Sequence, residues 1–294
     1  MNWFIRSQLA MVRGMYEAWM GTRKQVLPDE VEVFSDIPYI EDGQECHKLD
    51  VYRPKGAVEK LPVIVDLHGG GLLLCSRKTN RILCSGLARR GFLVFCLGYP
   101  LVPEADVPQM LRDVAVGMDK VAQLLRGWGG DPDRVYLVGD SAGAFLAAYE
   151  LAAQKEGRVA DALGMRPSGL PVKGAAFFSG MFYTAKFDQV GACLRKDFYG
   201  KKWRKHPFRP YMDPAVPEVA GAMPPCVLVT SKLDHLRGYT KKFAKGLRRS
   251  GVDHTLMDLP LHPALQHDFV IVKPEHPKVQ QVIDRVCQIL VGGS

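Results

Sequence analysis

No run of 18 consecutive apolar residues occurs in this 294-residue chain, so no segment reads as a membrane-crossing helix. Nothing repeats at a fixed period, and no low-complexity tract or Ser/Gly-rich linker divides the chain. The sequence is therefore expected to form a single domain over 1–294. The seven cysteines, at 46, 75, 84, 96, 193, 226 and 287, are odd in number and include no C-x-x-C pair. Several lie in apolar stretches, such as Cys96 within Phe92–Leu97, where a free thiol behaves as a small hydrophobe. A disulfide framework is excluded, and a reducing compartment, the cytoplasm, is the expected location. The first apolar stretch, Leu9–Val12, is cut by Arg13 and is too short for the core of a secretion signal. There is no H-E-x-x-H, no paired Cys/His set, and no G-x-G-x-x-G after a strand, so neither a metal nor a dinucleotide is expected and no cofactor is assigned.

What is present belongs to an ordinary folded protein: 47% hydrophobic residues against 24% charged ones, a balance that excludes general disorder. Lys and Arg outnumber Asp and Glu by 39 to 31, a formal charge of +8. A nucleic-acid binder needs such charge gathered into a patch or arm. One dense cluster exists, Lys201-Lys202-Trp203-Arg204-Lys205-His206, and a solvated face is the simpler reading than a site for an anionic partner. No nucleic-acid partner and no stable membrane insertion are expected. The oligomeric state is not legible.

Short apolar runs alternate with amphipathic helical stretches. The expected strands are Val31–Phe34, Lys48–Tyr52, Val63–Leu67, Phe92–Leu97, Val135–Val138, Ala175–Phe178, Cys226–Thr230 and Thr255–Leu259. The middle runs are continuously apolar, as strands covered on both faces must be. Met110, Val114, Met118, Val121 and Leu125 make one stripe at helical spacing, and Val279, Val282, Ile283, Val286 and Leu290 make another. This alternation predicts an α/β fold, a mostly parallel sheet with helices on both faces. Residues of about 1–45 and 181–222 break the pattern. They are expected to form a small helical lid over one end of the sheet, the alternative being plain cover for an exposed edge.

The sharpest chemical signal is Gly139-Asp140-Ser141-Ala142-Gly143, between the run Val135–Val138 and the Ala-rich helical stretch that follows. A serine there is forced onto a tight strand-to-helix turn, facing the positive end of the helix. The G-x-S-x-G pattern alone is weak; the strand and helix around it give it weight. His68-Gly69-Gly70-Gly71 closes another strand, where consecutive glycines let backbone N–H groups converge on a negative oxygen. With Ala142 they suit an oxyanion hole. A serine also needs an imidazole to take its proton and a carboxylate to orient the imidazole. Asp234 follows the run Cys226–Thr230, with Asp253 and Asp258 in reserve. Of the downstream histidines (235, 254, 262, 267 and 276), His267 fits best, because it opens the apolar stretch Phe269–Val272 that can anchor its loop; His262 comes next.

These residues resemble the motifs of the hormone-sensitive-lipase-like branch of the α/β-hydrolases, which includes bacterial carboxylesterases, from about Lys48 to the C-terminus. The similarity covers His68–Gly71, Tyr99–Glu104, Asp131–Arg134, Gly139–Gly143, Asp234–Arg237 and His267–Phe269, in order and spacing. The resemblance implies Ser141 as nucleophile, His267 as general base and acid, and Asp234 as its orienting carboxylate. Gly70, Gly71 and Ala142 would supply the oxyanion N–H groups, with Gly69 making room for the turn. Three departures concern pocket and loop shape: Leu72 where an aromatic is common, Asp268 in place of Gly, and Gly238 in place of an acidic residue. The expected activity is that of a serine carboxylesterase acting on small or medium-chain uncharged esters through an acyl-enzyme. Amide or formamide hydrolysis, a lipid-surface lipase, and a non-catalytic small-molecule-binding scaffold are the alternatives.

Overall fold

Each of the eight expected runs falls in a strand of one sheet, with only Phe92 left outside, one residue before its strand. The computed structural model describes residues 3–22, 27–186 and 189–292. Among these, the strands are β1 (Val31–Pro38), β2 (Lys48–Pro54), β3 (Leu61–Leu67), β4 (Leu93–Leu97), β5 (Gly130–Asp140), β6 (Gly174–Phe178), β7 (Cys226–Ser231) and β8 (His254–Leu259). Their order across the sheet is β1-β2-β4-β3-β5-β6-β7-β8. β2 runs antiparallel to both β1 and β4, and every other pairing is parallel. Parallel neighbours need a crossover, and the helices of the sequence pattern supply it.

The continuous apolar runs follow from two-sided cover. Successive strand residues point to opposite faces. Val63, Val65 and Leu67 of β3 enter one core with Phe95, Met110, Val114 and Met118, while Ile64 enters the other with Val94, Ile283 and Val286. The helix Val107–Leu124 thus covers one face and Pro277–Gly292 the other, each through its expected stripe. Fully burying a side chain such as Phe95 contributes about 1.5–3 kcal/mol. β1 and β5 are longer than their apolar runs, because ladder hydrogen bonds do not require apolar side chains. β5 begins at Gly130, where a second pairing with Leu61 lies beyond a register shift.

The helix Trp3–Thr22 precedes β1; Met11 and Met15 are exposed on it, and the side chains of Trp3, Phe4 and Trp19 lie outside the described set. Arg13 ties this helix to the sheet end, donating from Nε to the Leu73 carbonyl at 2.8 Å and pairing with Glu104 at 3.2 Å. The described residues within 181–222 include the helix Gln189–Tyr199 and bury Phe182, Phe198, Tyr199 and Phe208. Phe208 packs on Tyr149, with ring centroids 5.0 Å apart, and so belongs to the core. In the basic cluster Lys201, Lys202, Arg204 and Lys205 are exposed, and the Arg195 and Arg204 guanidinium groups sit 4.6 and 4.8 Å from the Trp203 ring centre. Cys46, Cys75, Cys84, Cys96, Cys226 and Cys287 are free thiols; Cys193 lies outside the described side chains. No helix among the described residues is long and apolar enough to cross a membrane.

Candidate active site

β5 ends at Asp140 and the helix Ala142–Lys155 starts at Ala142, leaving Ser141 alone on the corner with φ 46° and ψ −108°. A non-glycine residue at positive φ costs on the order of 1–3 kcal/mol and persists only where its surroundings hold it. Here Ser141 N–H donates to the Phe178 carbonyl at 2.8 Å, and the Ser141 carbonyl accepts from Met181 N–H at 2.8 Å. Gly143 is required by proximity: a Cβ there would lie 1.8 Å from the Leu67 carbonyl oxygen. That contact presses the elbow helix against the end of β3, where the glycine loop begins.

The glycine loop has its own constraints. Gly70 has φ +106°, and a Cβ on it would meet the Leu74 carbonyl oxygen at 2.1 Å. Gly69 lies against Asp140: a Cβ on it would meet the Asp140 carboxyl at 2.2 Å. His68 is buried, stacked on Tyr99 at 4.1 Å, and burial lowers its pKa to about 4. It is a neutral spacer, with Nδ1 2.8 Å from the Gly69 carbonyl and its own carbonyl accepting from the Tyr99 hydroxyl.

The structure brings Ser141, His267 and Asp234 together across 126 and 33 residues of sequence. Ser141 Oγ lies 3.1 Å from His267 Nε2, and His267 Nδ1 lies 2.7 Å from Asp234 Oδ1. Burial pushes the Asp234 carboxyl up, but hydrogen bonds from His267, Leu236 N–H and the Thr230 hydroxyl outweigh it and hold the group below its ordinary value. An ionised carboxylate only accepts, so Nδ1 carries the proton and Nε2 presents its lone pair to the serine. The His267 loop is pinned by the bridge Leu233–Gln266 and by the buried turn Phe269–Val272, the expected anchor.

The other candidates lie elsewhere. His254 Nδ1 is 2.8 Å from the Val252 carbonyl, and the His262 and His276 rings pair at 5.5 Å. His235 stacks beside His267 without reaching Ser141. Asp258 pairs with Arg237 at 2.7 Å, away from the imidazole. Glu104 engages Arg13, and Asp113 engages Gln109 and His47.

Sequence reading missed a chain of buried acids beneath the site. Asn80 donates to Asp140 Oδ1 at 2.6 Å and to Asp66 Oδ2 at 2.9 Å, and the Asp140 and Asp268 carboxyls share a hydrogen bond. Burial drives all three acids upward, Asp66 to about 7. Asp268 occupies the left-handed region at φ 57°, which explains why glycine serves at that position in the resembling motif. Asn80 sits in no motif, so nothing in the sequence announced this network. Two groups of residues place ligating atoms near one another. Cys84 and Cys96 donate their thiols to Asp66, and burial keeps both protonated, a poor state for binding a metal. Asp234, His235 and His267 form the second group.

The family model for the alpha/beta hydrolase fold matches residues 64–271. This is more than half of the chain, which belongs to the α/β-hydrolases, in their hormone-sensitive-lipase-like branch. Over 111 residues, 38% of this chain, it is 33% identical to a probable isoprenylcysteine alpha-carbonyl methylesterase of Arabidopsis thaliana, and the matched part spans only 23% of that protein. An ethyl acetate hydrolase of Pseudomonas putida is 27% identical over 258 residues, 82% of this chain and 77% of that one. Esterase B of Lactobacillus rhamnosis superposes with a TM-score of 0.86 at 21% identity, covering 98% of this chain and 96% of the other, a likeness of fold.

Proposed function

We propose that this chain is a serine carboxylesterase that cleaves small or medium-chain uncharged esters through an acyl-enzyme. The observation that carries the reading is the relay from Ser141 Oγ through His267 to Asp234, at 3.1 and 2.7 Å, on a strained strand-to-helix elbow. Ser141 Oγ attacks the ester carbonyl while His267 Nε2 takes its proton. Asp234, anionic and buried, stabilises the imidazolium that results. The carbonyl oxygen becomes negative and is met by N–H groups of Gly70, Gly71 and Ala142. Gly69, pressed against Asp140, makes room for the turn. His267 then protonates the leaving alcohol, and water attacks the acyl-serine by the same relay run again. The activities for which the methylesterase and the ethyl acetate hydrolase are named support an ester as substrate.

The helix Trp3–Thr22 and residues 181–222 form the lid in this proposal. Support comes from Arg13, which clamps the helix onto carbonyls of the loop behind the glycines. Between them lies a cavity of about 780 Å³ bordered by Tyr16, His68, Leu74, Cys75 and Leu101. It adjoins the oxyanion loop without including Ser141.

The test is hydrolysis of p-nitrophenyl esters of increasing acyl length by the wild type and Ser141→Ala. Turnover should fall by about 10⁴ or more in the variant while folding is kept. A fluorophosphonate should label the wild type at Ser141 alone. Undiminished hydrolysis in Ser141→Ala removes the assignment.

A further inference from the structure

Beside the proposed base stands a second imidazole that ester cleavage leaves unused. His235 directly follows Asp234 and is exposed, and its ring centre lies 4.2 Å from that of His267 with the planes at 54°. Asp234, His235 and His267 each place one ligating atom within 4.8 Å of the others. The Asp234 side chain is fully buried and that of His267 is 23% exposed, with Nδ1 on Asp234 and Nε2 on Ser141, while the neighbouring His235 is exposed. Two imidazoles and a carboxylate are the donors of Zn²⁺; Mg²⁺ and Ca²⁺ prefer oxygen alone. An exposed ring such as His235 rotates readily, which brings its nitrogen to the short spacing a tetrahedral ion requires.

We propose that Asp234, His235 and His267 form a reversible site for Zn²⁺ whose occupation switches the hydrolase off. The inhibitory effect rests on His267 being the general base; the binding itself does not. Asp234 Oδ1 lies 2.7 Å from Nδ1, so the ion takes Nδ1 of His267. The ring proton then moves to Nε2, and no lone pair is left to receive the Ser141 proton. If His235 merely packs against His267, zinc sensitivity does not depend on it.

The experiment uses chelator-stripped full-length protein in a non-coordinating buffer, with Zn²⁺ titrated and Mg²⁺ as control. Hydrolysis should fall as Zn²⁺ rises, return on addition of a chelator, and ignore Mg²⁺. His235→Gln should keep the wild-type rate in the absence of metal and require about ten-fold or more Zn²⁺ for the same inhibition. Calorimetric Zn²⁺ titration of Ser141→Ala, with and without His235→Gln, reads the site independently of activity. Equal zinc sensitivity, or equal zinc binding, with and without His235 overturns the proposal while leaving the esterase reading intact. His235-dependent binding with hydrolysis undiminished at saturation keeps the site and instead removes His267 as the base.

Discussion

Four aspartates near the nucleophile are split into two regions, one charged and one driven toward neutrality. Asp234 is as buried as its neighbours, yet three donors hold it as an anion. Asp66, Asp140 and Asp268, beneath the glycine loop, have Asn80, two weakly donating thiols on Asp66 and one another for partners, and burial outweighs these and drives them toward the neutral acid. Residue type therefore does not set the role; the supply of hydrogen-bond donors does. One region is built to stabilise a positive imidazolium. The other is a proton-holding strut that joins the elbow (Asp140), the histidine loop (Asp268) and the glycine loop (Gly69 against Asp140).

The strongest way to break this comparison is to remove the anion. Asp234→Asn should lower kcat by roughly 10⁴ with folding retained, because an amide cannot hold the imidazole in the right tautomer. A pre-steady-state assay on a p-nitrophenyl ester measures it directly. Next comes the glycine loop: Gly70→Ala should cost roughly 10²-fold or more in kcat, since its Cβ collides with the Leu74 carbonyl and displaces the N–H donors. Changing the strut should do less. Asp268→Gly, which empties the joint to Asp140, should lower kcat by roughly ten-fold through a displaced His267, whereas Asp268→Asn keeps a donor toward Asp140 and should retain most activity. If the two variants lose activity equally, the shared proton is not what joins the loops.

The smallest effect sharpens the comparison at a distance. Glu150, on the elbow helix, is fully buried, neither of its oxygens has a partner among the described residues, and burial raises its pKa well above 4.5. The unfolded chain sheds this proton above about pH 4.5 and the native state keeps it, so stability falls as pH rises through that window. Glu150→Gln does not titrate. Its thermal midpoint should exceed that of the wild type at pH 8, with the difference shrinking toward pH 4.5 in a pair of melting curves. Asp234 has the opposite sign, its contribution being present above about pH 4 and lost as pH falls.

The strands and the two covering helices were legible because apolar periodicity is local and strong. The elbow and the glycine loop were legible too, because backbone geometry there demands glycine at fixed spacing. Thr230, Asn80 and the Asp140–Asp268 bond were not. They are ordinary polar residues whose meaning arises only when loops from β3, β5, β7 and β8 meet at one sheet edge. Phe208 and Trp203 show the same limit. Nothing in their local sequence tells that Phe208 belongs to the core and that Trp203 lies beside two arginines.

The sequence by itself determined the α/β architecture, the corner on which Ser141 stands and the types of partner it needs, since these depend on chain periodicity and steric rules between near neighbours. The tertiary structure alone decided which of five downstream imidazoles faces that hydroxyl and which buried acids carry charge. Both questions turn on distances and donors contributed by segments far apart in the chain, and electrostatic energy depends on that separation in space.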